Sequence, residues 1–285
     1  MTAVPVPERL PFRVALAGAR FRSGWLSWLA IGLFGIAVLL GLLAPVISPY
    51  SPTDIVGPGA AAPGTSGHLL GTDMIGRDVL SRVLYGMGTT ISLAIAIVAI
   101  GITTGGLVGA IAGTVGGWLD NLLMRITDVF LALPAALVAI AIVGAFGGGS
   151  GNLLLGVSLV WWPYFARIVR GEVVSFAARP HVEAARLTGV PMWRIAFRHI
   201  LPGVVPTLIV LASVDVGAAV LMVASLSFLG LGAAQPSPEL GADAAQNIGS
   251  LLYAWWIPII PGIGVLVIVA ISNLAGSGVR NLLGK

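Results

Sequence analysis

Residues 180–202 read PHVEAARLTGVPMWRIAFRHILP, and this stretch decides how the rest of the chain is understood. It is a basic island between two long apolar runs. Pro180 suits the first turn of a helix, Glu183 lies near its positive end, Gly189 can adopt the left-handed stop, and Pro191 blocks continuation. The expectation is a helix of about two turns. Ala184 and Ala185 leave its backbone nearly bare beside Leu187, so another surface can approach closely, while Glu183 and Arg186 supply charge at the rim. The second half carries Arg194, Arg198 and His199 before Leu201 and Pro202 lead back into apolar sequence.

The pattern Glu183-Ala184-Ala185, three residues, Gly189, nine residues, His199, one residue, Leu201-Pro202 resembles the EAA loop of permease subunits in binding-protein-dependent ABC importers. His199 stands where that pattern often has Ile. In that family the loop is the coupling helix that docks on a cytoplasmic ATPase subunit. The resemblance assigns the same role to Glu183, Ala184, Ala185, Arg186, Leu187, Gly189, Leu201 and Pro202. The plainer alternative, an ordinary cytoplasmic connector between helices, has to match six fixed positions over twenty residues by accident.

Composition excludes several classes of function. With 57% hydrophobic and 9% charged residues over 285, the chain is too apolar for a soluble domain and reads as an all-α integral membrane protein. The sparse positive charge is almost all arginine, which argues for orientation in a bilayer and against nucleic-acid binding. No cysteine is present, so disulfides and thiolate metal sites are ruled out. The single lysine is Lys285, so no Gly-x-x-x-x-Gly-Lys-Ser/Thr phosphate loop exists, and nucleotide chemistry has to come from a partner.

Outward from the central loop, apolar runs separate into spans. Arg9, Arg13, Arg20 and Arg22 precede an uncharged run, and residues 25–47 as a helix measure about 34 Å, enough to cross a hydrocarbon core. Residues 48–66 are rich in Pro, Gly, Ser and Thr and read as an extracytoplasmic loop. Residues 72–86 are expected to form an amphipathic interfacial helix with Asp73 facing Arg77 and Asp78 facing Arg82 at i,i+4. The words His68, Gly71-Thr72-Asp73 and Gly76-Arg77-Asp78-Val79-Leu80-Ser81-Arg82 resemble the segment before the second helix of C-type permeases in dipeptide and oligopeptide importers.

The second span, residues 89–117, carries Gly101, Gly105, Gly109, Gly113 and Gly117 at every fourth position, a bare groove that wants a neighbouring helix backbone. RITDVFLALPAALVAI, with Arg125, Asp128 and Pro134, resembles the entry to the family's third core helix, and a kink is expected near Pro134. No charge falls between Asp128 and Arg167, and the Gly147–Asn152 stretch, GGGSGN, is placed to turn a hairpin between spans three and four. Span four ends near Trp161, Trp162 and Tyr164, and the basic loop covers residues 170–202. Span five runs from Pro202 to about Leu229, where SLSFLGLG resembles the family's words, with Ala224 where a glutamate often precedes them. The loop with Glu239 and Asp243 is extracytoplasmic, and the last span runs from Trp255 and Trp256 to about Leu274. The tail departs from the family ending at Ser277 and Asn281.

Thirteen of the fifteen basic residues then fall on one side and only Arg77 and Arg82 on the other, so six spans with both termini cytoplasmic satisfy the charge rule. The chain divides into residues 1–66, holding the tail, first helix and outer loop, and residues 67–285, the permease core.

The resemblance implies a type I ABC importer permease in the prokaryotic cytoplasmic (inner) membrane, non-catalytic and surrounded by lipid. It implies a related B-type permease, two cytoplasmic ATPase subunits or domains and an extracytoplasmic solute-binding protein as partners. No cofactor belongs to this chain, since ATP and Mg are bound by the ATPases. Dipeptides or short oligopeptides are the expected solute, with nickel chelates or haem as alternatives. Ser213, Asp215, Ser225 and Ser227 are the polar candidates for the solute path, and Asp215 is equally open to a role holding two helices together. The rival class is a self-contained channel or secondary transporter, which needs its own intramembrane driving or gating groups, and only Asp215 qualifies.

Overall fold

The computed structural model describes residues 24–65 and 67–283. Arg9, Arg13, Arg20, Arg22 and Lys285, counted on the cytoplasmic side, lie outside the described residues. Among those described, secondary structure is helical apart from two isolated bridges, Thr65 with His68 and Thr72 with Asp78.

The first helix, α1 (Gly24–Leu42), stops earlier than the apolar run predicts: the chain turns at Leu43 into a single helical turn, α2 (Ala44–Ile47), with Pro45 in its first turn. The expected interfacial helix at residues 72–86 is not formed. Residues 72–78 are irregular, and the helix begins at Val79 and continues without interruption as α3 (Val79–Val115). Asp78 is the reason. Its carboxylate caps α3 by accepting from the Ser81 backbone N–H and hydroxyl, both at 2.8 Å, and it also pairs with His68 at 2.9 Å. Asp73 and Arg77 do meet, at 2.5 Å, but across a turn rather than a helix face. Arg82 turns to Asp243 instead of Asp78.

After Gly116, with φ +68°, the third crossing is a broken pair: α4 (Gly117–Leu131) and α5 (Ala135–Phe146) meet at 85°. The kink expected near Pro134 is thus a full break, because Pro134 has no N–H and the residue before it is pushed out of the helical region. Gly117 begins α4 and is no part of the glycine groove. The groove itself forms as predicted. Gly101, Gly105, Gly109 and Gly113 lie on Trp161, Ala166, Val169 and Val173 of α6 (Ser150–Ala177), and a Cβ at Gly105 would sit 2.9 Å from the Ala166 nitrogen.

The hairpin at the glycine cluster turns as expected, with the Asn152 amide donating to the Phe146 and Gly147 carbonyls. Span four runs further than predicted, so Arg167 and Arg170 lie within α6 and the loop shrinks to a short helix, α7 (Pro180–Leu187), and its flanks. The next helix starts at Met192 rather than after Pro202. It comprises α8 (Met192–Ile195), a π-helical turn (Ala196–Ile200) and α9 (Leu201–Phe228). Pro202 explains the π turn: it cannot donate, and its ring would strike the carbonyl four residues back, so the ladder widens there.

Beyond α9, α10 (Leu240–Gln246) packs on the outer ends of α9 and α11 (Trp256–Leu283). The last helix continues to Leu283 and absorbs the expected tail. Ser27 near the start of α1 lies against Gly278 near the end of α11, which puts these two helix ends on one side of the bundle. Among the described residues five helices are long and apolar enough to cross a membrane, six when the broken pair is taken as one span.

Candidate functional site

The helix α7 is built as the sequence predicts. Pro180 occupies its first turn, Glu183 lies in that turn, and Arg186 lies in the last. Gly189 has φ +77°, its N–H reaches the Arg186 carbonyl at 3.0 Å, and the Val190 N–H reaches the Ala185 carbonyl at 3.2 Å. These two bonds make a Schellman closure, and Val190 and Ala185 pack in the same apolar cluster, the contact that usually accompanies it. Val182 anchors the helix. It is fully buried among Val169 and Val173 of α6, Ile195, Ile200 and Val204.

What remains outward is Glu183, Ala184, Arg186 and Leu187, the last 85% exposed. Ala185 was expected on the open face, yet it is half-buried, because the one-turn offset from Val182 carries it onto the base. Leu201 and Pro202 lie within the helix past the π turn and not in the loop. Next to them, Gly203 leaves room for the Phe176 ring, on which the Arg179 guanidinium stacks at 3.5 Å. The loop is therefore clamped between α6 and the helix that leads to α9.

The four polar candidates in span five are not brought together. Ser213 donates to the Val210 carbonyl and Ser225 to the Leu221 carbonyl, so both hydroxyls are satisfied by their own helix. Ser225 also stands at the rim of an apolar cavity of about 790 Å³ bounded by Leu221, Phe228, Ile248 and Ile263. Ser227 is buried against Gly232, its hydroxyl without a partner. Asp215 alone crosses to another helix, accepting the Trp161 indole N–H at 2.6 Å. Ala224, at the position noted for glutamate, is buried, and its backbone packs so closely on Gly241 that a Cβ at Gly241 would strike it.

Two polar clusters escaped the sequence reading. On the arginine-rich side, Arg170 holds Asp120 through two hydrogen bonds and Arg167 pairs with Asp128, fixing α4 to α6. On the opposite side, Arg82 joins Asp243 and the Pro52 and Pro236 carbonyls, and Arg77 reaches Gln235 at 2.9 Å. Glu239 caps α10 and accepts the Thr90 hydroxyl at 2.9 Å. Burial pushes the Asp243 carboxyl up to about 6 against the opposing pull of Arg82. These partners lie 30 to 161 residues apart in sequence, and an isolated Asp or Arg carries no local signal of such pairing.

The geometry defines a multispan helical bundle with a short loop helix clamped between two of its helices. Residues 105–285 match the family model described as binding-protein-dependent transport system inner membrane component, and the chain belongs to that family. It is 35% identical to a probable D,D-dipeptide transport system permease protein of Escherichia coli, over 93% of this chain and 92% of that one. It is 39% identical to a glutathione transport system permease protein of Pectobacterium atrosepticum, over 89% and 85%. With a nickel transport system permease protein of Escherichia coli the identity is 34%, over 91% and 94%. Among solved structures, the MetNI methionine ABC transporter in an inward-facing conformation matches with a TM-score of 0.60 at 17% identity, covering 72% of this chain and 97% of that one, a likeness of fold. The chain is thus a permease subunit of an ABC importer, a non-catalytic, multi-pass component of the bacterial inner membrane.

Proposed function

We propose that this permease imports short peptides and couples to its ATPase through α7. The supporting observation is the construction of that helix: a Schellman-closed unit seated on Val182, presenting Glu183, Ala184, Arg186, Leu187 and Gly189 outward. Leu201 and Pro202 serve the coupling as the start of the helix that carries movement onward. A related B-type permease completes the solute path, two ATPase subunits or domains bind ATP and Mg and hydrolyse it, and an extracytoplasmic binding protein delivers the solute. Peptides are favoured because several relatives are peptide permeases by name, including the di/tripeptide permease of Pseudomonas aeruginosa at 35% identity.

The physical link runs along one helix. Displacing α7 moves the cluster of Val169, Val173, Ile195, Ile200 and Val204 with it, since a close-packed core transmits strain rather than absorbing it. Asp215 stands about 20 Å further along that helix from Leu201, where it would line the path; Ser213, Ser225 and Ser227 are the weaker path candidates. The test is uptake of a labelled dipeptide by the reconstituted complex, with ATPase pull-down alongside. Glu183→Lys should abolish uptake while leaving the permease pair intact; normal uptake with a normal ATPase complement would remove α7 from the coupling role.

A further inference from the structure

Asp215 is the polar group of the membrane interior that the fold leaves half answered. One carboxylate oxygen, Oδ2, takes the Trp161 N–H at 2.6 Å, and Oδ1 has no hydrogen-bond partner among the described residues. Asp215 is only half-buried, and its unpaired Oδ1 keeps contact with the molecular surface. An ionised carboxylate can accept about four hydrogen bonds, and an intramembrane one pairs with a counter-charge or faces water. Among the described residues no free counter-charge stands nearby: Arg167 and Arg170 on the facing helix are held by Asp128 and Asp120.

The surroundings suit a cation from outside. Trp161 and Tyr164 lie three residues apart on α6 and so share a face, and Tyr164 is exposed. Trp161 is fixed from behind by the bare backbone of Gly101, 3.2 Å from the indole for a Cβ placed there. A fixed neutral donor on one oxygen and a free second oxygen, facing a helix side that carries two aromatic residues, suit a primary ammonium.

We propose that Asp215, framed by Trp161 and Tyr164, receives the protonated primary amine of the solute as it crosses the membrane. This rests on the importer reading above and narrows its solute to amine-bearing molecules such as the amino terminus of a short peptide. Trp161 is a positioning residue: it commits Oδ2 without supplying the charge that would fill the site.

The chain has no cysteine, so Ala218→Cys, exposed and three residues past Asp215, gives a single reporter when the partner subunits are also cysteine-free. In proteoliposomes of the whole complex, its reaction with a cationic aminoethyl and an anionic sulfonatoethyl methanethiosulfonate is timed. The cation should react about tenfold faster relative to the anion with Asp215 present than with Asp215→Asn, and Asp215→Glu should keep the preference. L-alanyl-L-alanine should slow the cationic reagent, and its N-acetylated form should not. Equal rates for the two reagents in the Asp215 background overturn the proposal whatever the variants do, as does a cysteine that neither reagent reaches. Equal protection by the acetylated dipeptide overturns the amine assignment. ATP hydrolysis stimulated by the binding protein is measured on the same vesicles. Its absence sinks the importer reading, whereas normal stimulation with a preference indifferent to Asp215→Asn sinks the amine site alone.

Discussion

Arg170 and Asp120 face each other in a two-point contact, Nε to Oδ1 at 3.1 Å and Nη2 to Oδ2 at 2.7 Å, that fastens the first turn of α4 to α6. The two side chains are 39% and 12% exposed, so solvent screening limits the contact to about 1 kcal/mol. A double-mutant cycle with Arg170→Ala and Asp120→Ala, read by thermal unfolding of the purified complex, should return a coupling of that size. A coupling near zero would make the contact incidental.

Gly189 holds φ +77° with nothing within 4 Å of the space its Cβ would fill. The cost of Gly189→Ala is therefore backbone strain alone, roughly 1 kcal/mol, localised to the closure of α7. Membrane insertion and permease pairing should be unchanged while ATPase retention falls severalfold in a pull-down. Full retention would show that α7 tolerates another closure.

Neighbouring glycines in α3 should behave oppositely. A Cβ at Gly105 meets the Ala166 nitrogen and the Phe165 Cβ at 2.9 Å, whereas at Gly106 it meets nothing within 4 Å. Gly105→Ala should lower stability by about 1 to 3 kcal/mol through overpacking. Gly106→Ala should be neutral or slightly stabilising, since alanine is the better helix former. Equal melting temperatures for the two variants would contradict the close approach of α3 and α6.

Asp243 titrates at about 6 in the folded protein against 3.8 for the free group. A raised folded value means that its contribution to stability is fully present below pH 4 and is lost as pH rises through 6, up to about 3 kcal/mol. The charged groups facing it are Arg82, Arg77 and Glu239. Asp243→Asn keeps an acceptor for Arg82 and removes the titration. The fall in melting temperature of the wild type between pH 4.5 and 7 should shrink in the variant, and an unchanged slope would assign the effect to other groups.

Topology can be read with cysteines placed in a chain that has none. Asp78 and Glu239 are both 0% exposed and suit no reagent, but Leu252 is 97% exposed and Leu187 85%. In intact cells an impermeant thiol reagent should modify Leu252→Cys and spare Leu187→Cys until the membrane is opened. Modification of position 187 in sealed cells would invert the arrangement.

The chain's own order of residues determined whatever depends on near neighbours. Pro180, Gly189 and Pro191 set the limits of α7 because each acts through its own backbone torsions, and the four-residue glycine period announced a close helix contact because it lies on one helix face. The arginine asymmetry gave an expected orientation, and the EAA spacing pointed to the family. Tertiary structure decided what depends on packing. It set how far the chain turns at Pro134, that Asp78 serves as a helix cap while Arg82 finds Asp243 across 161 residues, and that Asp215 faces Trp161 rather than Ser213 or Ser225. A buried charge takes the partner that the assembled helices bring within hydrogen-bond reach, and desolvation makes that choice strong. Spacing along the sequence does not encode that distance.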